Sequence, residues 1–279
     1  MNKKRLTLLV TIISLLVIMS GCSTSSELIH LDTPINDVFN DGIFAVILTY
    51  PLAQAINFLS QYTGVFFAVA IVTIALNAII IALTFKSNMS MQRMQELQPE
   101  VQKIQMKYEG RNDQASQQKM SYELQNLYQK NNINPLGSLV TTFIQFPVLI
   151  SMYAAVRRSA AVAEGTFLGQ SLALTPSQAF TEKQWIIVAI YVVMIIMQFI
   201  STSITRWLQI SRGKQEAERK HKAYEKPKNQ NGMMLYGMIV FIAFIMLQWP
   251  AALSLYYCIY SLVNIAKVVI IDQLMQKEK

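Results

Sequence analysis

Five long apolar stretches alternate with polar ones along this chain, and the polar intermissions carry their own hydrophobic periodicity. The apolar stretches are residues 64–85, 136–156, 185–207, 233–249 and 251–271. As a helix the first extends about 33 Å, enough to cross the hydrocarbon of a bilayer. Pro147 lies inside the second. Trp185 and Trp207 bracket the third, where interfacial aromatic side chains belong. Only Pro250 and its neighbours separate the last two, which predicts a tight helical hairpin.

The intermission at 86–134 is not a simple turn. Met94, Leu97, Val101, Ile104 and Tyr108 recur at alternating steps of three and four. Met120, Leu124 and Leu127 repeat the pattern after Gly110-Arg111-Asn112-Asp113. Turn residues between two apolar stripes predict an antiparallel helical hairpin, and Pro99 predicts a kink or break in its first arm. Residues 208–232 are rich in Lys, Glu and Asn and include Pro227, so they predict a polar loop. Before the first span, within 22–63, Leu48, Leu52, Ala55, Ile56 and Leu59 fall at helical spacing, interrupted by Pro51. They predict an interfacial helix on the outer leaflet. The expected fold class is therefore an all-α membrane protein with five transmembrane helices and a cytoplasmic antiparallel hairpin.

Composition agrees with this. Hydrophobic residues make up 53% of the chain and charged residues 14%, too apolar for a soluble domain of this length. The net charge of +8 reports mainly how the loops are built. Lys and Arg concentrate after the first and third spans, while the loop after the second has Arg157, Arg158 and Lys183 beside Glu164 and Glu182. The two basic loops are thus expected in the cytoplasm, with the mature N-terminus outside and the short tail 274–279 inside. The basic residues are dispersed and no aromatic platform accompanies them, which argues against direct nucleic-acid binding. Residues 1–21 read as a signal peptide: Lys3, Lys4 and Arg5, an apolar run, then Met19-Ser20-Gly21-Cys22. Small residues before a cysteine resemble a bacterial lipobox, which makes Cys22 the expected lipidation site. With Cys258 the only other cysteine and two isolated histidines, no disulfide framework and no metal site are expected.

Polar residues within the spans fall in lines. The first span has Thr73, Asn77 and Thr84; the second Ser138, Thr141, Thr142 and Gln145. The third has Gln198, Ser201, Thr202 and Thr205; the fifth Tyr257, Tyr260, Asn264 and Lys267. Each set occupies roughly one helical face. Four such stripes point to a shared polar groove open to the cytoplasm, with Thr73, Asn77, Gln145, Gln198, Tyr257 and Asn264 as the substrate-contacting candidates. The competing reading is helix–helix hydrogen bonding, worth about 0.6 kcal/mol per contact.

Three motifs in order carry a resemblance. Met94-Gln95-Glu96-Leu97-Gln98-Pro99-Glu100 opens the hairpin. Asn134-Pro135-Leu136-Gly137 precedes Gln145-Phe146-Pro147 and Tyr153. Trp249-Pro250-Ala251-Ala252-Leu253-Ser254-Leu255-Tyr256-Tyr257 is followed by Asn264. Together they resemble the YidC/Oxa/Alb family of membrane protein insertases, in the Gram-positive lipoprotein form. The resemblance implies insertion of nascent membrane proteins through a hydrophilic groove, with no enzymatic step and no cofactor. It implies a plasma-membrane location, contact of the hairpin with ribosomes, targeting factors or membrane lipids, and work alone or beside the Sec translocon. One departure stands out. The family's span-one arginine, four residues after a threonine, is replaced here by Asn77, and its following Pro-Leu by Ala82-Leu83. A groove without that charge is expected to depend less on acidic residues in its clients. The rival functions are a post-insertion assembly chaperone and a small-solute channel or carrier; the second explains the stripes but not the hairpin.

Overall fold

A computed structural model describes residues 27–111, 113–131, 133, 135–219 and 230–277. The expected signal peptide and Cys22 lie outside the described residues, as do the centre of the 208–232 loop and the side chains of Ser138, Thr141 and Thr142.

The described residues are mostly helical. A 3-10 turn at Ile35–Asp41 and a π turn at Ala45–Thr49 lead into α1 (Tyr50–Thr63). Then come α2 (Val65–Glu96), α3 (Gln98–Lys107), α4 (Gln114–Lys130) and α5 (Pro135–Arg158). A short connector follows: α6 (Ala160–Glu164), strands β1 (Thr166–Phe167) and β2 (Gln170–Ser171), and α7 (Pro176–Thr181). Helices α8 (Trp185–Arg219), α9 (Gln230–Met246) and α10 (Ala251–Lys277) complete the chain. Among the described residues three helices, α2, α8 and α10, are long and apolar enough to cross a membrane, and α9 holds a shorter apolar stretch, Tyr236–Met246.

Two helices outrun the spans expected from hydropathy. Nothing between Lys86 and Glu96 breaks a helix, so α2 continues past residue 85 to Glu96. It stops at Leu97, because Pro99 fits only the first turn of the helix that follows. In the same way α8 continues past Trp207 to Arg219 through Lys, Gln and Glu, good helix formers.

The residues form two compact units, and the five long helices contribute segments to both. The first comprises the stretch up to Ala75, 144–194 and 243–259. Its N-terminal segment is stitched to the end of α5: Ile29 N–H donates to the Arg158 carbonyl at 2.6 Å, and Ala160 N–H to the Ile29 carbonyl at 3.2 Å. Ile29, Ala53 and Ala155 are fully buried together there. The connector does structural work. Its antiparallel strands pair Thr166 with Ser171 and Phe167 with Gln170 across a turn at Leu168 and Gly169, both at positive φ. Phe167 stacks on Phe66 at 4.1 Å. The Leu174 and Leu172 carbonyls accept from the first N–H groups of α10, Ala251 at 2.8 Å and Ala252 at 3.0 Å. Those donors have no partner within their own helix, so the connector satisfies them and fixes the tight turn before α10.

The second unit comprises 76–143, 195–242 and the chain from Tyr260 onward. It includes α3 and α4, joined through a turn at Gly110, where φ is +80°. Asp113 caps α4 by accepting from Ser116 N–H at 2.8 Å. Leu97, Val101 and Tyr108 are buried, while Met120, Leu124 and Leu127 are half-buried. Glu123 of α4 joins the arms, accepting from Lys107 at 2.6 Å and from Tyr108 at 2.8 Å.

Candidate functional site

Helix α2 has two faces of opposite character. Phe67, Ile71, Ile74, Ile79 and Leu83 are exposed, as befits side chains that face lipid. Thr73, Asn77, Thr84 and Asn88 are buried, none more than 3% exposed. The two threonines answer their hydroxyls locally: Thr73 donates to the Val69 carbonyl and Thr84 to the Ile80 carbonyl, each at 2.6 Å. Asn88 then donates to Thr84 Oγ1 at 2.9 Å. The two asparagines, Asn77 and Asn88, are the most costly of these to bury in hydrocarbon and so the most informative.

Of the six candidates, the first unit holds Thr73, Gln145 and Tyr257. Gln145 is half-buried on α5. Tyr257 is buried at the start of α10, edge-on to Tyr256 with centroids 5.4 Å apart. The second unit holds Asn77, Gln198 and Asn264. Here α8 and α10 are bridged twice: Ser261 donates to Gln198 at 2.8 Å, and Asn264 donates to Ser201 at 2.9 Å. Two candidates therefore also act as fasteners between helices, the competing reading of the stripes.

Hydropathy missed how far these stripes extend. On α8 the line through Gln198, Ser201 and Thr205 continues to Arg212; on α10 the line through Ser261 and Asn264 continues to Asp272. On α2 it continues through Asn88 to Gln92. Gln92, Gln95, Glu96, Thr205, Leu208, Arg212, Val268 and Asp272 line a half-open recess within the second unit. Arg212 donates to Glu96 at 2.5 Å and pairs with Asp272. The signal was present in the sequence, because the helical period carries past the ends of the apolar runs.

Residues 58–278 match the family described as the 60Kd inner membrane protein. The chain belongs to this YidC/Oxa insertase family. Its similarity to single members is spread over nearly all of both chains. The membrane protein insertase YidC 2 of Bacillus anthracis is 32% identical over 271 residues, 96% of this chain and 94% of that protein. The membrane protein insertase MisCA of Bacillus subtilis is 31% identical, over 96% of this chain and 92% of that one. An Oceanobacillus iheyensis membrane protein insertase YidC is 29% identical over 99% of this chain and all of that protein. Membership makes the chain an insertase rather than an enzyme. Within the insertase, Asn77 is 3% exposed.

Proposed function

We propose that this insertase takes nascent membrane proteins into the bilayer along a polar path formed by five spans, with Thr73, Asn77, Gln145, Gln198, Tyr257 and Asn264 as its contacts. The carrying observation is the buried polar face of α2 opposite an exposed apolar one. Polar groups in hydrocarbon demand partners or water, so a face that keeps four of them inward is suited to a client's polar flank. The client's apolar body partitions into lipid, driven by about 25 cal/mol per Å² of apolar area, and no nucleotide is needed. The five spans are α2, α5, α8, α9 and α10, with α9 the shortest. The basic loops face the cytoplasm, where the α3–α4 hairpin meets ribosomes or targeting factors, and a lipid on Cys22 anchors the outer N-terminus.

Asn77 gives the path a neutral donor and acceptor in place of a charge. The reading follows that clients need not carry acidic translocated tails. Purified protein in liposomes, given one single-span client, tests the function: insertion is expected, and solute flux without insertion would refute it. Photo-crosslinkers at Asn77, Gln145, Gln198 and Tyr257 are expected to capture a stalled nascent chain; silence at all four removes the path. Fatty-acid labelling lost on Cys22→Ser is the expected result for the anchor.

A further inference from the structure

Two residues other than glycine hold positive φ among the described residues, and only one of them is explained by its neighbours. Lys183, at φ 57°, ends α7: Gln184 N–H donates back to the Ala179 carbonyl at 2.9 Å, the bond that closes a helix in this conformation. Leu168, at φ 51°, is the first of two turn residues between β1 and β2, with Gly169 at 81°. Such a turn favours Asn-Gly, because a bulky apolar side chain strains the left-handed backbone. Leu168 is also 71% exposed. In water, asparagine or glycine would serve better on both counts, backbone and solvation.

The level of the hairpin in the bilayer follows from what it holds. Phe167 stacks on Phe66, in the first turn of α2, with centroids 4.1 Å apart. Phe67 beside it is exposed on that span. The Gln170 side chain accepts from Ile186 and Ile187 N–H at 3.1 and 3.3 Å, in the first turn of α8 next to the exposed Trp185. A tryptophan at the end of a span marks the boundary between headgroups and acyl chains. One strand step from Phe167 is about 3.4 Å, so Leu168 lies within that distance of the level at which α2 enters hydrocarbon.

We infer that the Leu168 tip is a membrane-dipping finger. Its side chain enters the acyl chains of the leaflet at this end of α2 and α8, continuous with the lipid-facing surfaces of both. Contact with lipid offsets the backbone strain. The connector holds the starts of three helices, at Phe66 of α2, Ile186 of α8 and Ala251 of α10, so the finger keys all three to the bilayer boundary. The finger requires that α2 and α8 cross the membrane and is independent of the path taken by a client.

The test uses the full-length protein in liposomes of phosphatidylethanolamine and phosphatidylglycerol. A nitroxide carried on a non-natural amino acid replaces Leu168, or Phe67 as the lipid reference, or Glu164, an exposed connector residue, as the water reference. Power saturation reads collisions with oxygen, which concentrates in acyl chains, and with a water-soluble nickel chelate. Position 168 is expected to match position 67, with an oxygen-to-nickel ratio several-fold above that at 164. A ratio like that at 164 puts the tip in water and overturns the inference. Low access to both reagents means that a second copy covers the tip, and overturns it too. If position 67 is itself open to nickel, α2 does not enter the bilayer there and the inference falls with it. Hydrogen exchange in the same liposomes reads the leucine itself. Leu168→Asn relaxes the turn, so a tip in water would tighten and the amides of the Thr166–Ser171 and Phe167–Gln170 pairs would exchange more slowly. For a tip in lipid the apolar area returned to water outweighs the strain removed, and these amides should exchange several-fold faster. Leu168→Met, still apolar, should stay near the wild-type rate. Slower or unchanged exchange in Leu168→Asn, or equal acceleration in Leu168→Met, overturns the inference.

Discussion

Arg158 and Asp41 lie 2.6 Å apart with their side chains 6% and 10% exposed, so an ion pair sits inside the first unit. Arg158 Nε also donates to the Glu27 carbonyl at 3.1 Å. The arginine therefore ties the N-terminal segment and the 3-10 turn to the end of α5. Removing one partner leaves the other charge buried and uncompensated, which costs roughly 3–5 kcal/mol. Asp41→Asn is expected to lower unfolding stability by that order, measured in detergent by denaturant titration. Arg158→Met with Asp41→Leu should recover most of it. Equal losses in the double and single variants would show that the pair is not the cause.

Asn57 makes a second tie in the same unit. Its amide donates to the Ile29 carbonyl at 2.5 Å, and its carbonyl accepts from Ser159 Oγ at 2.7 Å and Ala161 N–H at 3.1 Å. Asn57→Leu fills the volume and abandons all three, at about 1–3 kcal/mol for each group left buried without a partner. The expected signature in hydrogen exchange is local: faster exchange at Ile29 and Ala161, with α8 unaffected. Asn57→Asp keeps the acceptor and should protect Ala161 but not the Ile29 carbonyl contact.

The hairpin should respond to pH through Glu123. Lys107, and next Tyr108, hold its carboxyl below the ordinary value of 4.5 by hydrogen bonding to the charged form. Glu123 in turn raises the Lys107 ammonium above its ordinary 10.5. A lowered acid contributes stability that is present above the unfolded value and lost as pH falls through the folded one. A raised base contributes stability that is present below its unfolded value and lost as pH rises through the folded one. Cross-arm contact is thus greatest between these limits. Amide exchange in α3 and α4 should accelerate below about pH 4.5. Glu123→Gln should remove most of that acid dependence while leaving the rate at neutral pH modestly higher.

The helical period made much of this legible. Thr73, Asn77 and Thr84 could be placed on one face because nothing but periodicity was required, and burial follows that face. Leu97, Val101 and Tyr108 were likewise readable as the inner stripe of a hairpin arm. What escaped were pairings between distant positions. Arg158 read as a loop charge, yet its partner is Asp41. Arg212 read as a cytoplasmic loop residue because the apolar run ends at Trp207, yet α8 carries it on to Glu96 and Asp272. Charge counting treats every basic residue as solvated, and burial is decided by partners that one sequence does not name. The connector escaped for another reason: two-residue strands leave no alternation to detect.

Restoring the charge at position 77 separates a hydrated path from a dry bundle. Asn77 is 3% exposed, and an arginine held there without water costs several kcal/mol. If water reaches the polar face of α2, Asn77→Arg should fold with little loss of stability and insert an acidic-tailed client several-fold faster than the parent. The gain should vanish when the client's acidic residues are neutralised, because the added term is electrostatic, and it should shrink with added salt if the site is wetted. A client with a neutral tail should insert equally well with either residue. Marked destabilisation of Asn77→Arg together with no gain for the acidic client would mean that the buried asparagine serves only to join helices.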